Sequence, residues 1–386
     1  LLEGDFQTRW EVAKAIPHFG AAAIPLLIDL LQDEEADGEL AWFVARILGQ
    51  LNHPQAIAAL TDLLTTADDD DVRAIAATTL ANFGEVAIPA LQQLLADSSR
   101  RLLAIRALAQ IRSDAVVGLL SAAASDRDPQ VRSATLEALI GFPEAAIADL
   151  LLAALRDPVA AVRRAAVTGL GLRAGHQTET ELLPHLQPLL SDINLAVCQQ
   201  AVLAVGRCRE EAAARCLLDL LQEPHAPEVL KRDAIRSLAW METATALSGL
   251  RQYLQQLPHN YLPQVQLEAI AALGRIESAA LQPLAAQTVM EWLDAYQTEG
   301  ATASAWQVAA LALGQLGQSC AQETLIRLLR YPDTGLRLHA IAALKQIDAI
   351  AARASLEQLA IQPNLDGAWR QGIVLALAEW GDPGQV

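Results

Sequence analysis

Cys198, Cys208 and Cys216 crowd into one short stretch, and Cys320 stands far behind them. A thiol can act as a nucleophile or as a soft metal ligand. The spacing is not the C-x-x-C of zinc or cluster sites. Small buried hydrophobes are therefore the first reading of these residues. Reactive thiols at Cys198, Cys208 and Cys216 are the second, and a transient metal or iron–sulfur contact is the third. Cys208 and Cys216 flank the turn Arg209-Glu210-Glu211-Ala212, across which they could approach one another. The seven histidines are scattered without ligand spacing. Asp68 to Asp71 are four unbroken acids, read as a solvated turn whose last residue caps the next helix. A divalent-ion site would need a second ligand cluster, and none is spaced to complete it.

The cations and tryptophans are more pointed. Trp10 and Lys14 recur one unit later as Trp42 and Arg46, an aromatic pair with a cation pair one helical turn along. Arg232, Arg236 and Trp240 follow at i, i+4 and i+8, one stripe of a helix. Arg207 and Arg275 hold the position of Trp240 in the units before and after it. Arginine and tryptophan placed together make an anion- or partner-binding surface. The competing reading is that each Trp packs on a neighbour and each Arg pairs with an acid of its own repeat. No glycine-rich phosphate loop with lysine, no G-x-S-x-G and no H-E-x-x-H occurs. No catalytic residue and no resident metal are expected.

Those residues need elements to hold them, and the stretch Asp128 to Pro158 supplies the pattern. Asp128 is a helix N-cap and Pro129 sits at the first helical position. Val131, Ala134/Thr135, Ala138/Leu139 and Phe142 make one apolar face. Gly141 and Pro143 stop that helix, and a second apolar run, Ala146 to Leu155, follows. Neither helix is long enough to stand alone. The pattern V-R-x-x-A-x-x-A-L returns about twelve times at about 33-residue spacing along the 386 residues. The fold class expected is all-α, an α-α superhelix of about twelve helical hairpins, running as one continuous domain from 1 to 386. The cation of the V-R pair is replaced by Ala41, Cys198, Gln266 and Trp306. Insertions fall near 171–184, with the polar loop Ala174 to Thr180, and near 276–303, where a long helix Leu281 to Tyr296 precedes Thr298-Glu299-Gly300. Both ends look cut within a unit, which predicts capping residues beyond them or a partner over an exposed end.

Hydrophobic residues are 53% but aromatics only 4%, so the core is built of Ala, Leu, Ile and Val. The formal charge of −17 opposes nucleic acid and anionic membrane. No run of 18 apolar residues is present, which predicts no membrane insertion. Four cysteines do not make a disulfide framework and no leader is visible, so a cytoplasmic setting is expected.

The unit is similar to the HEAT repeat. More narrowly, Asp128-Pro129, Val131-Arg132 and Ala138-Leu139, with Ala87-Ile88-Pro89-Ala90-Leu91-Gln92-Gln93-Leu94-Leu95-Ala96-Asp97, resemble the short HEAT-like repeats of the phycobilisome lyase family. That resemblance implies that the V-R helix lines the concave face. It puts the positions two, six and ten residues after the Val in a groove. It implies protein partners, with heterodimers among the lyase subunits, and three functions. The first is a non-enzymatic protein-binding scaffold using Trp10, Lys14, Trp42, Arg46, Arg207, Arg232, Arg236, Trp240 and Arg275. The second is a bilin lyase/isomerase or bilin-chaperone subunit, with Arg on propionates and Trp on the ring system. The third is an accessory of iron–sulfur assembly. Tyr253, Tyr261, Trp292, Tyr296 and Trp306 join Trp240 in an aromatic-rich region, which suggests recognition at that end of the chain.

Overall fold

The computed structural model describes residues 1, 5–31, 33, 37–143, 145–174, 182–257, 263–296, 303–363 and 365–380. Among them every regular element is an α-helix or a short 3-10 segment, and no strand occurs. In the unit at Asp128, Oδ1 of that residue accepts from the Gln130 N–H at 2.8 Å, and Pro129 opens the helix Pro129–Leu139. Val131, Thr135, Leu136 and Leu139 are buried. The chain turns, and Ala145–Ala154 returns over it, burying Ile147, Ala148 and Leu151. Leu136 joins the buried face and Ala134 and Ala138 are only half-buried. The face is wider than a single stripe because the first helix packs on both helices of the preceding repeat, Arg101–Leu108 and Val117–Ala123.

The chain divides into two compact units, Leu1–Leu172 and Arg173–Val386. In the first, the hairpins begin with Phe6–Ala15, Gly38–Leu51, Asp70–Asn82, Arg101–Leu108 and Pro129–Leu139. Phe43, Leu60, Leu80, Leu91, Leu108 and Leu139 run through its core at 0% exposure. In the second, Leu195–Arg207, Glu228–Met241, Pro263–Gly274 and Ala303–Leu316 are the corresponding first helices. Their partners are Glu211–Gln222, Ala244–Gln256, Gln282–Tyr296 and Gln322–Leu328. The long helix expected at 281–296 is therefore present. Gly175 to Thr180, Thr298 to Gly300 and the chain ends at 2–4 and 381–386 lie outside the described residues.

Two apparently long helices are hairpins. Thr334–Ala360 breaks at Asp348 (φ −161°, ψ 99°), whose Oδ1 accepts from the N–H groups of Ile350 and Ala351 and caps the second arm. The stretch Phe6–Leu31 is long and apolar enough to cross a membrane by length and composition alone. The chain turns within it at Gly20 (φ 61°, ψ −147°), so it is two short helices and not one span. The acidic run needs one correction. Asp69, not the last residue Asp71, caps Asp70–Asn82, its Oδ1 taking the Asp71 N–H at 2.7 Å. Helix geometry sets this, because the cap must stand two or three residues ahead of the donor it satisfies.

The V-R arginine is a clip between repeats. Arg73, Arg101, Arg132 and Arg163 each donate to the carbonyl six residues back, those of Ala67, Leu95, Asp126 and Asp157, at 2.5–2.8 Å. Arg132 also takes both oxygens of Asp157, 25 residues ahead, at 2.8 and 2.9 Å. Arg101 reaches one oxygen of Asp126, also 25 ahead, through Nη1. Each such guanidinium joins the end of one hairpin to the end of the next. Where arginine is missing the repeat finds other packing. Gln266 accepts from the Trp292 indole N–H at 3.0 Å, both residues buried, and Trp306 packs on Tyr331 at 4.1 Å between centroids.

Candidate functional site

The first cluster is assembled but internally satisfied. The Arg46 guanidinium lies over the Trp10 ring at 4.4 Å and over Trp42 at 5.4 Å. Phe43 abuts both rings, and Phe6 stacks on Trp10. Lys14 reaches the Trp10 ring at 5.7 Å and pairs with Glu11 at 3.0 Å. The space that Trp10, Lys14, Phe43 and Arg46 line is about 60 Å³, and Trp42 does not border it. This is a cation–π stack joining two hairpins. It offers a ligand little room.

The second cluster is open. Arg207 ends the helix Leu195–Arg207, Trp240 lies in the last turn of Glu228–Met241, and Arg275 follows the end of Pro263–Gly274. All three sit ten residues past the first core position of their repeats, so adjacent helices bring them to one wall. With Arg209 and Arg236 they line a cavity of about 670 Å³. Trp240 is 52% exposed. Arg232 does not line this cavity, and its Nε is buried without a hydrogen-bond partner. Arg209 is the residue the repeat pattern passes over. It stands in the turn after Cys208 with φ 50°, and it lays its guanidinium 4.2 Å from the Trp240 ring. Its position one residue outside the helical register hides it from a pattern that tracks helix faces.

Carboxylates are present around the cavity, but most are engaged. Glu268 accepts from Nε and Nη2 of Arg236 at 2.9 and 2.6 Å and from Nη2 of Arg275 at 3.4 Å. The Arg236 hydrogen bond is the chief reason that its carboxyl lies below the ordinary glutamate value. Asp233 gives Arg236 a further partner at 3.3 Å. Glu242, itself at positive φ, accepts from the backbone N–H groups of Glu277 and Ser278 at 2.6 and 3.3 Å. Neither Arg207 nor Arg209 has a carboxylate within ion-pair distance among the described residues, and Nη1 of Arg207 is buried without a partner. The cavity therefore pairs an exposed indole with two guanidinium groups, those of Arg207 and Arg209, that have no carboxylate partner among the described residues, although Arg209 Nη2 donates to the Trp240 carbonyl at 3.4 Å.

The other expected aromatics do not share this surface. Tyr253, Trp292 and Trp306 are buried and belong to the core. Tyr261 and the Tyr296 side chain lie outside the described residues. Large rings occupy the core there because Gln266 and Trp306 replace the arginine clip.

The thiols are free, and of the three candidate reactive thiols Cys198 and Cys208 are buried, in line with the reading of small buried hydrophobes. Cys198 Sγ donates to the Asp192 carbonyl at 3.1 Å and Cys208 Sγ to that of Ala204 at 3.6 Å. Burial is the main cause that pushes the Cys198 and Cys216 thiols up, away from the reactive thiolate. Cys320 is the exposed one. Iodoacetamide on the native protein should label Cys320 first. Cys198 and Cys208 should stay unmodified in the mass spectrum until denaturant is added. Early labelling of either buried thiol would point to a reactive site there. No group of three or more His, Cys, Asp or Glu is placed to hold a metal among the described residues.

Comparison with known proteins bears on the fold. A family model described as HEAT repeats matches residues 1–81, 34–103, 88–158 and 147–239, more than half of the chain. No curated protein matches the sequence. Among solved structures, importin beta aligns over 98% of this chain with a TM-score of 0.63 at 14% identity, and the chain spans 60% of that protein. This likeness places the fold in the α-α superhelix class. The complex of CpcE and CpcF of phycocyanin lyase from Nostoc sp. PCC7120 contains a chain 19% identical over 68% of this one, with 94% of its own length covered. The TM-score there is 0.35, too low to carry an argument about bilin chemistry.

Proposed function

This chain belongs to the HEAT-repeat family, and from that premise we propose that it is a non-enzymatic protein-binding scaffold. Its partner docks an acidic, partly apolar segment into the cavity walled by Arg207, Arg209, Arg236, Trp240 and Arg275. The observation that supports this most is local charge against the global balance. A chain with a formal charge of −17 gathers four arginines against two glutamates, Glu242 and Glu277, around one exposed tryptophan. Glu268 holds Arg236 and Arg275 in place, while Arg207 and Arg209, without a carboxylate partner among the described residues, are the guanidinium groups left for an incoming carboxylate. Fixed guanidinium groups suit carboxylates because two N–H donors can meet two oxygens. The indole offers apolar area at small conformational cost, the usual make-up of an interface anchor. The cytoplasmic setting read from the sequence agrees with such a role.

The test is fluorescence anisotropy with a labelled peptide of alternating Glu and Leu, against its Lys and Leu counterpart. The acidic peptide should bind, and affinity should fall with added salt. Arg207→Glu combined with Trp240→Ala should weaken binding by roughly a hundredfold, about 2.7 kcal/mol. Arg207 is preferred to Arg236 as a target because Arg236 is tied to Glu268. Equal binding of the basic peptide, or no loss in the double variant, would move the docking surface elsewhere, first to the Trp10 and Trp42 patch.

A further inference from the structure

The break in the arginine clip at Cys198 leaves a second site, near the opposite end of the helix Leu195–Arg207. In the repeat that opens at Asp128 the V-R guanidinium, that of Arg132, meets three acceptors. They are the carbonyl six residues back, the carbonyl five back and a carboxylate 25 ahead. At Cys198 these positions fall on Asp192, Ile193 and Glu223. The thiol takes only the first of them, donating to the Asp192 carbonyl. The acceptors stay while the arginine is gone. Asp192, Ile193 and Glu223 line a cavity of about 290 Å³ together with Cys198. Glu223 has no ion pair among the described residues, although Asp157, its counterpart, is gripped by Nε and Nη2 of Arg132.

The nearest cation does not fill the gap. Lys231 attracts Glu223 electrostatically, but it is 3% exposed, and burial lowers its pKa in spite of Glu223 and Glu228. It stands where Arg163 stands beside Asp157. That second cation acts on Asp157 in addition to the hydrogen-bonded Arg132. Glu223 thus has the equivalent of Arg163 and lacks the equivalent of Arg132.

We propose that this cavity is a guanidinium socket that takes an arginine side chain from a partner polypeptide, completing the clip from outside. Its mouth suits that occupant. Ile193 is 98% exposed and Leu195 is exposed beside it, so the methylene stem of an arginine would lie along apolar surface while its head meets the acceptors. Within the same chain the same three positions already bind the Arg132 guanidinium, and the two carbonyl positions bind those of Arg73 and Arg163. A planar head with several donors fits two carbonyls and a carboxylate better than an ammonium does. The site does not depend on the arginine-lined cavity, which lies roughly 14 Å away along the helix.

The experiment is an NMR titration of backbone amides with N-acetyl-arginine amide. The lysine analogue and methylguanidinium serve as parallel probes. The arginine compound should shift the amides around Asp192 to Leu195 and Glu223 to Leu230, at least several-fold more tightly than the lysine compound. Glu223→Gln should weaken it about tenfold, since the carboxylate supplies the charged hydrogen bonds. Cys198→Arg should supply the guanidinium from within, remove the response and raise the melting temperature. Equal binding of the lysine analogue would reduce the site to an acidic patch and overturn the proposal. A response that survives in both variants would overturn it as well. Binding of methylguanidinium without the blocked arginine would make it a small-cation cavity and not a socket for a side chain.

Discussion

Replacing Arg132 with methionine should remove about 3 kcal/mol of stability and shift the urea midpoint down without changing the helical content. The side chains of Arg132 and Asp157 are 14% and 11% exposed, so the pair sits between a surface bridge and a buried one. Methionine keeps most of the stem packing. It removes two charge-assisted bonds to Asp157 and two bonds to the carbonyls of Asp126 and Arg127. A pH series separates the clip from mere packing. Burial alone would raise the Asp157 carboxyl. The Arg132 hydrogen bond, the Val159 N–H and the charges of Arg132 and Arg163 outweigh that, so its pKa lies below the ordinary value. A carboxyl depressed in the folded state contributes stability that is complete above its unfolded pKa of about 3.9. That contribution is lost as pH falls through the folded value. The difference between wild type and Arg132→Met should therefore be full at neutral pH and shrink in that acid window. A loss below about 1 kcal/mol, or one that persists undiminished in acid, would show that the guanidinium is not the clip.

The clip also explains what the sequence made legible. Helix existence, the hairpin unit and the long helix before Tyr296 follow from apolar spacing and Asp caps, which are local and repeat. The location of Trp240 beside Arg207 and Arg275 was readable for the same reason, because equal register on adjacent helices means adjacency in space. What register cannot carry is the identity of each arginine's partner. Arg46 points into a pair of indoles, and Arg236 is held by Glu268 of the next repeat, three residues past that repeat's first core position. Arg209 was out of reach because a turn at positive φ, not a helix face, aims it at Trp240. The role of Cys198 was half visible. Its substitution for arginine stands in the sequence, but the three acceptors left behind appear only when the carbonyls and Glu223 are placed around it.

Gly274→Val should be the most damaging single change near the arginine-lined cavity, lowering stability by about 3 kcal/mol. Gly49, Gly206, Gly274 and Gly314 all lie nine residues past the first core position of their repeats. Each faces a small residue of the next repeat, Thr79, Ser237, Ala312 and Ala343 in turn. A Cβ on Gly274 would come within 2.7 Å of both Cα and Cβ of Ala312. One of those atoms is backbone, so no rotamer change relieves the contact and the two helices must separate. Alanine at the same position gains about 1 kcal/mol of helix propensity and meets the same clash, so its net loss should be smaller than that of valine. Adding Ala312→Gly to Gly274→Ala removes one of the two clashing atoms. It should recover part of the loss, a coupling that distant residues would not show. The consequence for binding follows from position. The next residue after Gly274 is Arg275, and Gly206 lines the cavity beside Arg207. Close approach of the first helices sets the spacing between the cavity's arginines. Gly274→Val should therefore weaken the acidic peptide as well as the fold, measured at a temperature where the variant stays folded. Unchanged affinity in a destabilised variant would show that the arginines reach their ligand independently of helix spacing.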